Sequence, residues 1–281
     1  MADTHEKVTT PPIDASREGS LYAGQQTPAK GSHKNNELVD YLSQDIRTTL
    51  FVELQLLLIT FCTGIQDCIT DATTFPDYHC FASNQTGNTI FLCLALIIPQ
   101  FNGDMFYTAN IGTGLGVFLV AGWLTGQVGH IVGPRKRWWL ILCNLIQTGL
   151  VFAATGIQYR YGVHDHGWTA IVVVALLAFA AGSQVVQSRS LAATEISTAM
   201  ATAAWVDLMI DQKLFVLDNR PRTRRVAFLL ALVIGGLVGA LIYRTAGSGA
   251  ALAVSGAGKG LAGLLYIFSG AEKKKVNTSE V

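Results

Sequence analysis

Apolar residues in this chain gather into long unbroken stretches separated by short polar segments. A helix that crosses a bilayer takes ~20 such residues, and a run of about 10–14 is more often re-entrant or interfacial. The first stretch runs from about Leu50 to Thr70. The second, Asn88 to Ile98, is short and stops at Pro99. The third runs from about Thr108 to Val132, and the fourth from Trp138 to about Gln158, between an aromatic pair and Tyr159 and Tyr161. Trp and Tyr at both ends of a run mark the membrane–water interface. The fifth covers Trp168 to about Val186, and the sixth, Ile196 to Ile210, is short and holds Asp207. The seventh runs from Val226 to Tyr243, and the glycine-rich eighth from Gly249 to Phe268 carries Lys259. The pattern predicts an all-α polytopic membrane protein. It has six full transmembrane helices plus two short helices that are re-entrant or imperfectly spanning.

Charge placement discriminates between topologies. If all eight stretches cross, the cations divide poorly between the two sides. If the two short stretches return to their own side, only Arg160 and Arg244 lie outside. Arg135, Lys136, Arg137, Arg189, Lys213 and the run from Arg220 to Arg225 then fall on one side with both tails. The positive-inside rule favours this second arrangement and puts both termini in the cytoplasm. The first and fifth stretches then run in opposite senses, each followed by a short helix and a full span. That is the arrangement of two related halves in inverted repeat.

Composition agrees with this reading. Hydrophobic residues make up 50% and charged residues only 14% of the 281 residues, with a net charge of +1. A soluble domain carries about 25% charged residues, and a nucleic-acid binder shows a basic face; neither class fits. Five scattered cysteines form neither a disulfide framework nor a zinc spacing. The expected organisation is a disordered cytoplasmic tail over 1–49, a transmembrane domain over 50–270 and a polar cytoplasmic tail over 271–281. The transmembrane domain divides into halves 50–158 and 168–270. Within the first tail, 36–49 reads either as an amphipathic surface helix or as a plain lead-in. No signal peptide or transit peptide is visible, which leaves plasma membrane and endomembrane both open.

Two segments echo one another. Gly64-Ile65-Gln66-Asp67 is followed by Thr86-Gly87-Asn88, and Gly182-Ser183-Gln184-Val185 by Thr202-Ala203-Ala204 at a similar distance. Gly64-Ile65-Gln66-Asp67 with Phe81-Ala82-Ser83-Asn84-Gln85-Thr86-Gly87-Asn88-Thr89 also resembles the signature of the YoaK-like integral membrane proteins. That family places Gly-x-x-Asp on the first helix ahead of a Phe-x-x-x-x-Thr-Gly-Asn element. Glu195-Ile196-Ser197-Thr198 and Asn219 to Ala227 resemble its fungal branch. The likeness spans roughly Leu50 to Ile242 and implies an integral membrane protein without an assigned biochemical role. Where many relatives repeat Thr-Gly in the second half, this chain has Thr202-Ala203. A binding role is therefore expected mainly in the first half.

The candidate substrate-binding residues are Gln66, Asp67, Asn84, Thr86, Gly87, Asn88, Gln184, Thr198 and Thr202. Ser, Asn and Thr cap helix starts, and a half-helix starting inside the membrane aims its positive end at anionic substrate groups. Asp67 is an intramembrane carboxylate, costly and so a functional candidate; a structural network with Gln66 or Asn84 is the alternative. Gln66 and Gln184 stand at matching places and are placed to hydrogen-bond between the halves. Asp207 and Arg189 are expected to form a structural ion pair. Asp71 and Asp77 read as solvated loop charges, and His164-Asp165-His166 as a solvated loop rather than a metal site. The glycine pairs, such as Gly122 with Gly126 and Gly235 with Gly239, read as close helix contacts, and a homodimer through one of them is open.

No catalytic set, cofactor or metal is indicated, and the partners expected are the lipid bilayer and a small solute. The function expected is a small-solute transporter or channel-like permease with an anionic or polar substrate. The alternative is a structural or scaffold membrane protein without transport.

Overall fold

The computed structural model describes residues 37–70, 77–103, 105–191, 193, 195–196, 198–216 and 218–272. The readings made on 1–36, Asp71, Asp104, Ser197 and 273–281 lie outside the described residues. The compact body starts at Asp40. Residues 37–39 are helical and exposed. Within the body, the chain leaves the helical conformation by Ser43, so a surface helix does not continue through 49.

Among the described residues eight α-helices follow. They are α1 (Leu50–Thr70), α2 (Gln85–Ile97), α3 (Thr108–Val132), α4 (Arg137–Tyr161), α5 (Trp168–Ser190), α6 (Ala201–Met209), α7 (Arg220–Ala246) and α8 (Ser248–Leu265). Single 3₁₀ turns, Pro99–Phe101 and Tyr266–Phe268, follow α2 and α8. Six helices are long and apolar enough to cross a membrane, and α2 is a shorter apolar helix. The apolar run marks most boundaries within a few residues. It misses the start of α7, because a charged first turn precedes the apolar residues. There Asn219 caps the helix, its side chain accepting from the Arg222 N–H at 3.2 Å, and Pro221 sits within the first turn, where its missing N–H costs nothing.

One end of the bundle is basic. The segment before α1 is bonded to the α3–α4 connection (Ile46 N–H to Arg135 O, 2.9 Å; Arg137 N–H to Gln44 O, 3.0 Å) and to the C-terminal segment (Arg47 N–H to Gly270 O, 3.0 Å). The Ser190 hydroxyl at the end of α5 donates to Pro134 O at 3.2 Å. Arg137 is 1% exposed, lies over the Tyr41 ring and donates to Ser269 O. The start of α7 joins this end through Glu53, which is paired with Arg220 and Arg224. At the opposite end, Asn110 Nδ2 donates to Tyr78 O (2.8 Å) and Asp165 O (2.7 Å), and the Tyr243 hydroxyl donates to Asp77 at 3.1 Å.

The segments that flank each short helix lie at the same end of the bundle. The flanks of α2 meet where His79 Nδ1 lies 3.3 Å from Met105 O, and Phe81, Phe91 and Phe106 stack in series. α6 is held between Glu195, paired with Arg224, and Asp207 and Asp211, paired with Arg225, all at the basic end. At ~1.5 Å per residue α2 is roughly 20 Å long and α6 roughly 14 Å, short of the ~30 Å hydrocarbon core.

Long helices pack in fixed pairs: α1 on α7, α3 on α5, α4 on α8 and α5, α8 on α1 and, less extensively, α7 on α8, with α2 against α3 and α6 against α7. Two glycine crossings set the closest approaches. A Cβ on Gly64 would meet Leu232 O and stand 2.9 Å from Gly236 N; one on Gly182 would meet Phe118 O and stand 3.2 Å from Ala121 Cβ. The buried apolar residues form two clusters. One, near the basic end, includes Ile46, Leu56, Leu140 and Phe228; the other, at the opposite end, includes Ile65, Tyr78, Phe106 and Val151. Between them, at mid-depth, lies a buried polar layer of Thr63, Asn144, Gln147, Ser183, Gln184, Gln187 and Lys259. The class defined by this architecture is an all-helical polytopic membrane protein.

Candidate functional site

A cavity of about 600 Å³ opens where the α1–α7 and α3–α5 pairs approach one another. Its wall carries Gly64, Asp67 and Cys68 of α1, Phe118 of α3, Val185 and Arg189 of α5, and Leu232 and Gly236 of α7. The starts of both short helices complete it, with Ser83 to Thr86 on one side and Ala199 to Ala203 on the other. Neither N-cap residue, Asn84 or Met200, makes a side-chain cap bond. The first backbone N–H groups of a helix have no partner inside it and carry the positive end of its dipole. Both short helices therefore turn electropositive backbone toward the cavity, and Arg189 adds a guanidinium to the wall.

Asp67 lies at the start of α2, where both of its carboxylate oxygens are 2.7 Å from the Ser83 hydroxyl that donates to it. Its partner is thus Ser83, not Gln66 or Asn84. Across α1, Lys259 lies within electrostatic reach of Asp67 without forming an ion pair.

The candidates named from the sequence divide into two groups. Asp67, Asn84, Thr86, Thr202 and Arg189 line the cavity. Gly87, Asn88, Gln66, Gln184 and Thr198 do not. A Cβ on Gly87 would run into the Phe81 ring, so this glycine serves packing. Asn88 is 0% exposed and clamps the lead-in to α2: its Nδ2 donates to Phe81 O (2.7 Å) and its Oδ1 accepts from Phe81 N–H (2.9 Å). Asn88→Ala leaves both Phe81 groups unpaired and is expected to cost about 2 kcal/mol. Faster amide exchange across 78–88 with a lowered melting temperature is the expected result, and unchanged exchange there would remove Asn88 from this role. Gln66 is buried away from the cavity wall. Gln184 bonds between the halves, but to the Thr63 hydroxyl (2.8 Å) rather than to Gln66. Thr198 is buried at φ 58° in the turn before α6, with its hydroxyl 3.3 Å from Ser188.

Two assignments change, and the 164–166 loop stays largely exposed. Asp207 pairs with Arg225 at 3.7 Å, while Arg189 donates to Met200 Sδ at 2.9 Å, so the expected Arg189–Asp207 pair is not made. Asp77 is buried, not solvated; burial pushes its carboxyl above the usual range while the neighbouring Ser248 and Tyr243 hydroxyls pull it back. Asp165 is engaged by the Tyr107 hydroxyl (2.8 Å) and by His166, and the Tyr107 bond holds its carboxyl below the usual range. Among the described residues no group of three His, Cys, Asp or Glu is placed to hold a metal.

Sequence reading missed Ser83, Met200 and the small residues Ala199, Ala201 and Ala203. Of the Thr86-Gly87-Asn88 motif only Thr86 faces the cavity, while Gly87 and Asn88 build the helix start. The signal for Ser83 was its place immediately before the helix, within reach of Asp67.

The chain belongs to the family described as protein of unknown function (DUF1275), which matches residues 55–265. This is the YoaK-like family that its Gly64-to-Asp67 and Phe81-to-Asn88 elements resemble. No curated protein and no solved structure matches the chain.

Proposed function

We propose that the protein is a small-solute transporter or channel-like permease with an anionic or polar substrate. The cavity at the crossing of the helix pairs carries this reading. It has room for a small molecule, and two uncapped helix starts and Arg189 face it, as broken helices face anionic groups in transporters.

An inverted repeat supports the same reading. Exchanging α1 with α5, α2 with α6, α3 with α7 and α4 with α8 carries every packed helix pair onto another packed pair except α7–α8, whose counterpart α3–α4 is not packed. The crossings correspond in detail: a Cβ on Gly236 would stand 3.9 Å from Gly64 O, and one on Gly122 4.0 Å from Gly182 O. Each cavity wall from one half has its counterpart in the other, so rocking of the halves would open the cavity to alternate sides. The basic end carries Arg47, Arg135, Lys136, Arg137, Arg189, Lys213 and the Arg220 to Arg225 run, against Arg160 and Arg244 opposite. On the positive-inside rule that end, with both tails, is cytoplasmic.

The scaffold reading draws on one observation, the Asp67 carboxylate already satisfied by Ser83. Flux of a panel of small anions and neutral polar solutes through proteoliposomes separates the two. Transport predicts flux of at least one solute, cut at least tenfold in Thr202→Trp, which fills the cavity, with Asp67→Asn altering the preference among solutes. Absence of flux for every solute, or flux indifferent to Thr202→Trp, favours the scaffold.

A further inference from the structure

We infer that a second polar site, distinct from the cavity and independent of the transport reading, lies at mid-depth among α1, α4, α5 and α8 and holds water around the Lys259 ammonium. Lys259 is 1% exposed in the middle of a membrane-length helix. Among the described residues it makes no direct hydrogen bond or ion pair, and the carboxylate nearest to it in electrostatic terms is Asp67. A buried charge with no group in direct contact to bond its donors is among the costliest arrangements a protein can hold, and more so at membrane depth.

The surroundings define what would satisfy it. α8 lies against α1 where the Ser255 hydroxyl donates to Cys62 O at 2.8 Å and Gly258 abuts Cys62 Sγ. On its other flank α8 meets α4, with Gly260 against Thr148 and Gly263 against Asn144. α5 closes the fourth corner. Gln147 Nε2 donates to Ser183 Oγ (3.2 Å) and Gln187 Oε1 (3.0 Å), and Gln184 Nε2 reaches Thr63 on α1. These bonds use the amide N–H groups and leave oxygens over. Asn144 Oδ1, Gln147 Oε1 and Gln184 Oε1 are buried, and none has a partner among the described residues. Asn144 and Gln147 are 1% exposed and Gln184 is 2%.

The unmet groups are thus complementary but not joined: donors on the ammonium of α8, acceptors on α4 and α5. The occupant must accept from the former and donate to the latter. A metal cation would be repelled by Lys259, and a simple anion would leave the amide oxygens unmet. Water does both, and a buried water typically makes about three hydrogen bonds of this kind. The apolar clusters at either end of the bundle confine it to this layer.

Radiolytic hydroxyl-radical labelling of the full-length protein in lipid nanodiscs tests the site, because bound water is the local radical source. Cys62, 1% exposed, is the reporter, and Phe228 and Phe106, each 0% exposed in the apolar clusters, are the dry references. After correction for intrinsic reactivity, Cys62 is expected to label at least fivefold faster than either. Lys259→Met is expected to abolish that excess, and Lys259→Arg to keep it. Gln184→Leu, which removes one unmet oxygen, should lower it if Lys259→Met does not fold. A Cys62 as dark as the phenylalanines means that the centre is dry and overturns the proposal. Labelling of Cys62 unchanged in Lys259→Met overturns the part given to the ammonium.

Discussion

Gly64→Ala and Gly182→Ala are expected to destabilise the folded bundle, while Gly112→Ala and Gly156→Ala leave it as stable or slightly more so. All four glycines are mid-helix, and the chemical change is one methyl group. At Gly64 and Gly182 the new Cβ meets the backbone carbonyls of Leu232 and Phe118 across a helix crossing. Backbone cannot rotate away as a side chain can, so the helices must separate, with an overpacking cost of about 1–3 kcal/mol or more. The loss extends beyond the methyl group, because separating α1 from α7 or α3 from α5 loosens packing along the pair. At Gly112 and Gly156 nothing lies within 4 Å of the added atom. There alanine gains up to about 1 kcal/mol of helix propensity. Denaturant titration of the purified variants in mixed micelles gives the sign. Equal stability of Gly182→Ala and Gly156→Ala would mean that the crossings are not backbone-tight.

Glu53→Ala is expected to cost about 3 kcal/mol, in the range for removing one partner of a buried pair. One oxygen of Glu53 takes both Arg220 Nη2 (2.6 Å) and Arg224 Nη2 (2.5 Å). The Glu53 side chain is 7% exposed and that of Arg224 17%, whereas Arg220 is 59% exposed. Arg220 recovers its hydration when the carboxylate goes. Arg224 does not, and keeps only Glu195 at 3.2 Å. The cost therefore comes mainly from Arg224, and adding Arg224→Leu to Glu53→Ala should recover part of the loss. A double variant less stable than Glu53→Ala alone would show that Arg224 is held by more than its charge. Because Glu53 belongs to α1 and both arginines to α7, the effect should be seen as loosening of that pair at the basic end.

The long helices were legible because lipid-crossing segments are written in composition. Leu50–Thr70 and Thr108–Val132 are outlined by apolar residues alone. The shortness of α2 and α6 was legible in the length of their apolar runs, Asn88 to Ile98 and Ile196 to Ile210. The site was legible only in part. Asp67 and Thr86 stood out as polar groups in or beside apolar runs, and both reach the cavity. Asn88 stood out for the same reason and faces the other way, because helical periodicity around α2 depends on where the helix starts, and that start is set by Phe81 and Ser83. Ala201 and Met200 carry no polar signal at all; they contribute the backbone of the α6 start and, from Met200, a thioether that accepts from Arg189. Asp77 looked like a loop charge because the partner that buries it, Tyr243, lies 166 residues away.

The odd number of long helices in each half has a consequence for biosynthesis. Residues 50–161 contain α1, α3 and α4, and the following segment contains α5, α7 and α8. With three crossings, the chain leaves the first half on the side opposite to the one on which it began, so α5 is threaded in the reverse sense to α1 as an outcome of counting. The same arithmetic makes the insertion fragile. Were α3 to slip into the aqueous phase during translation, everything downstream would be offered to the membrane upside down. The arginines at the head of α7 would then have to be carried across the bilayer. On the cytoplasmic placement proposed above, the positive-inside rule sets the Arg220 to Arg225 run against that inverted insertion.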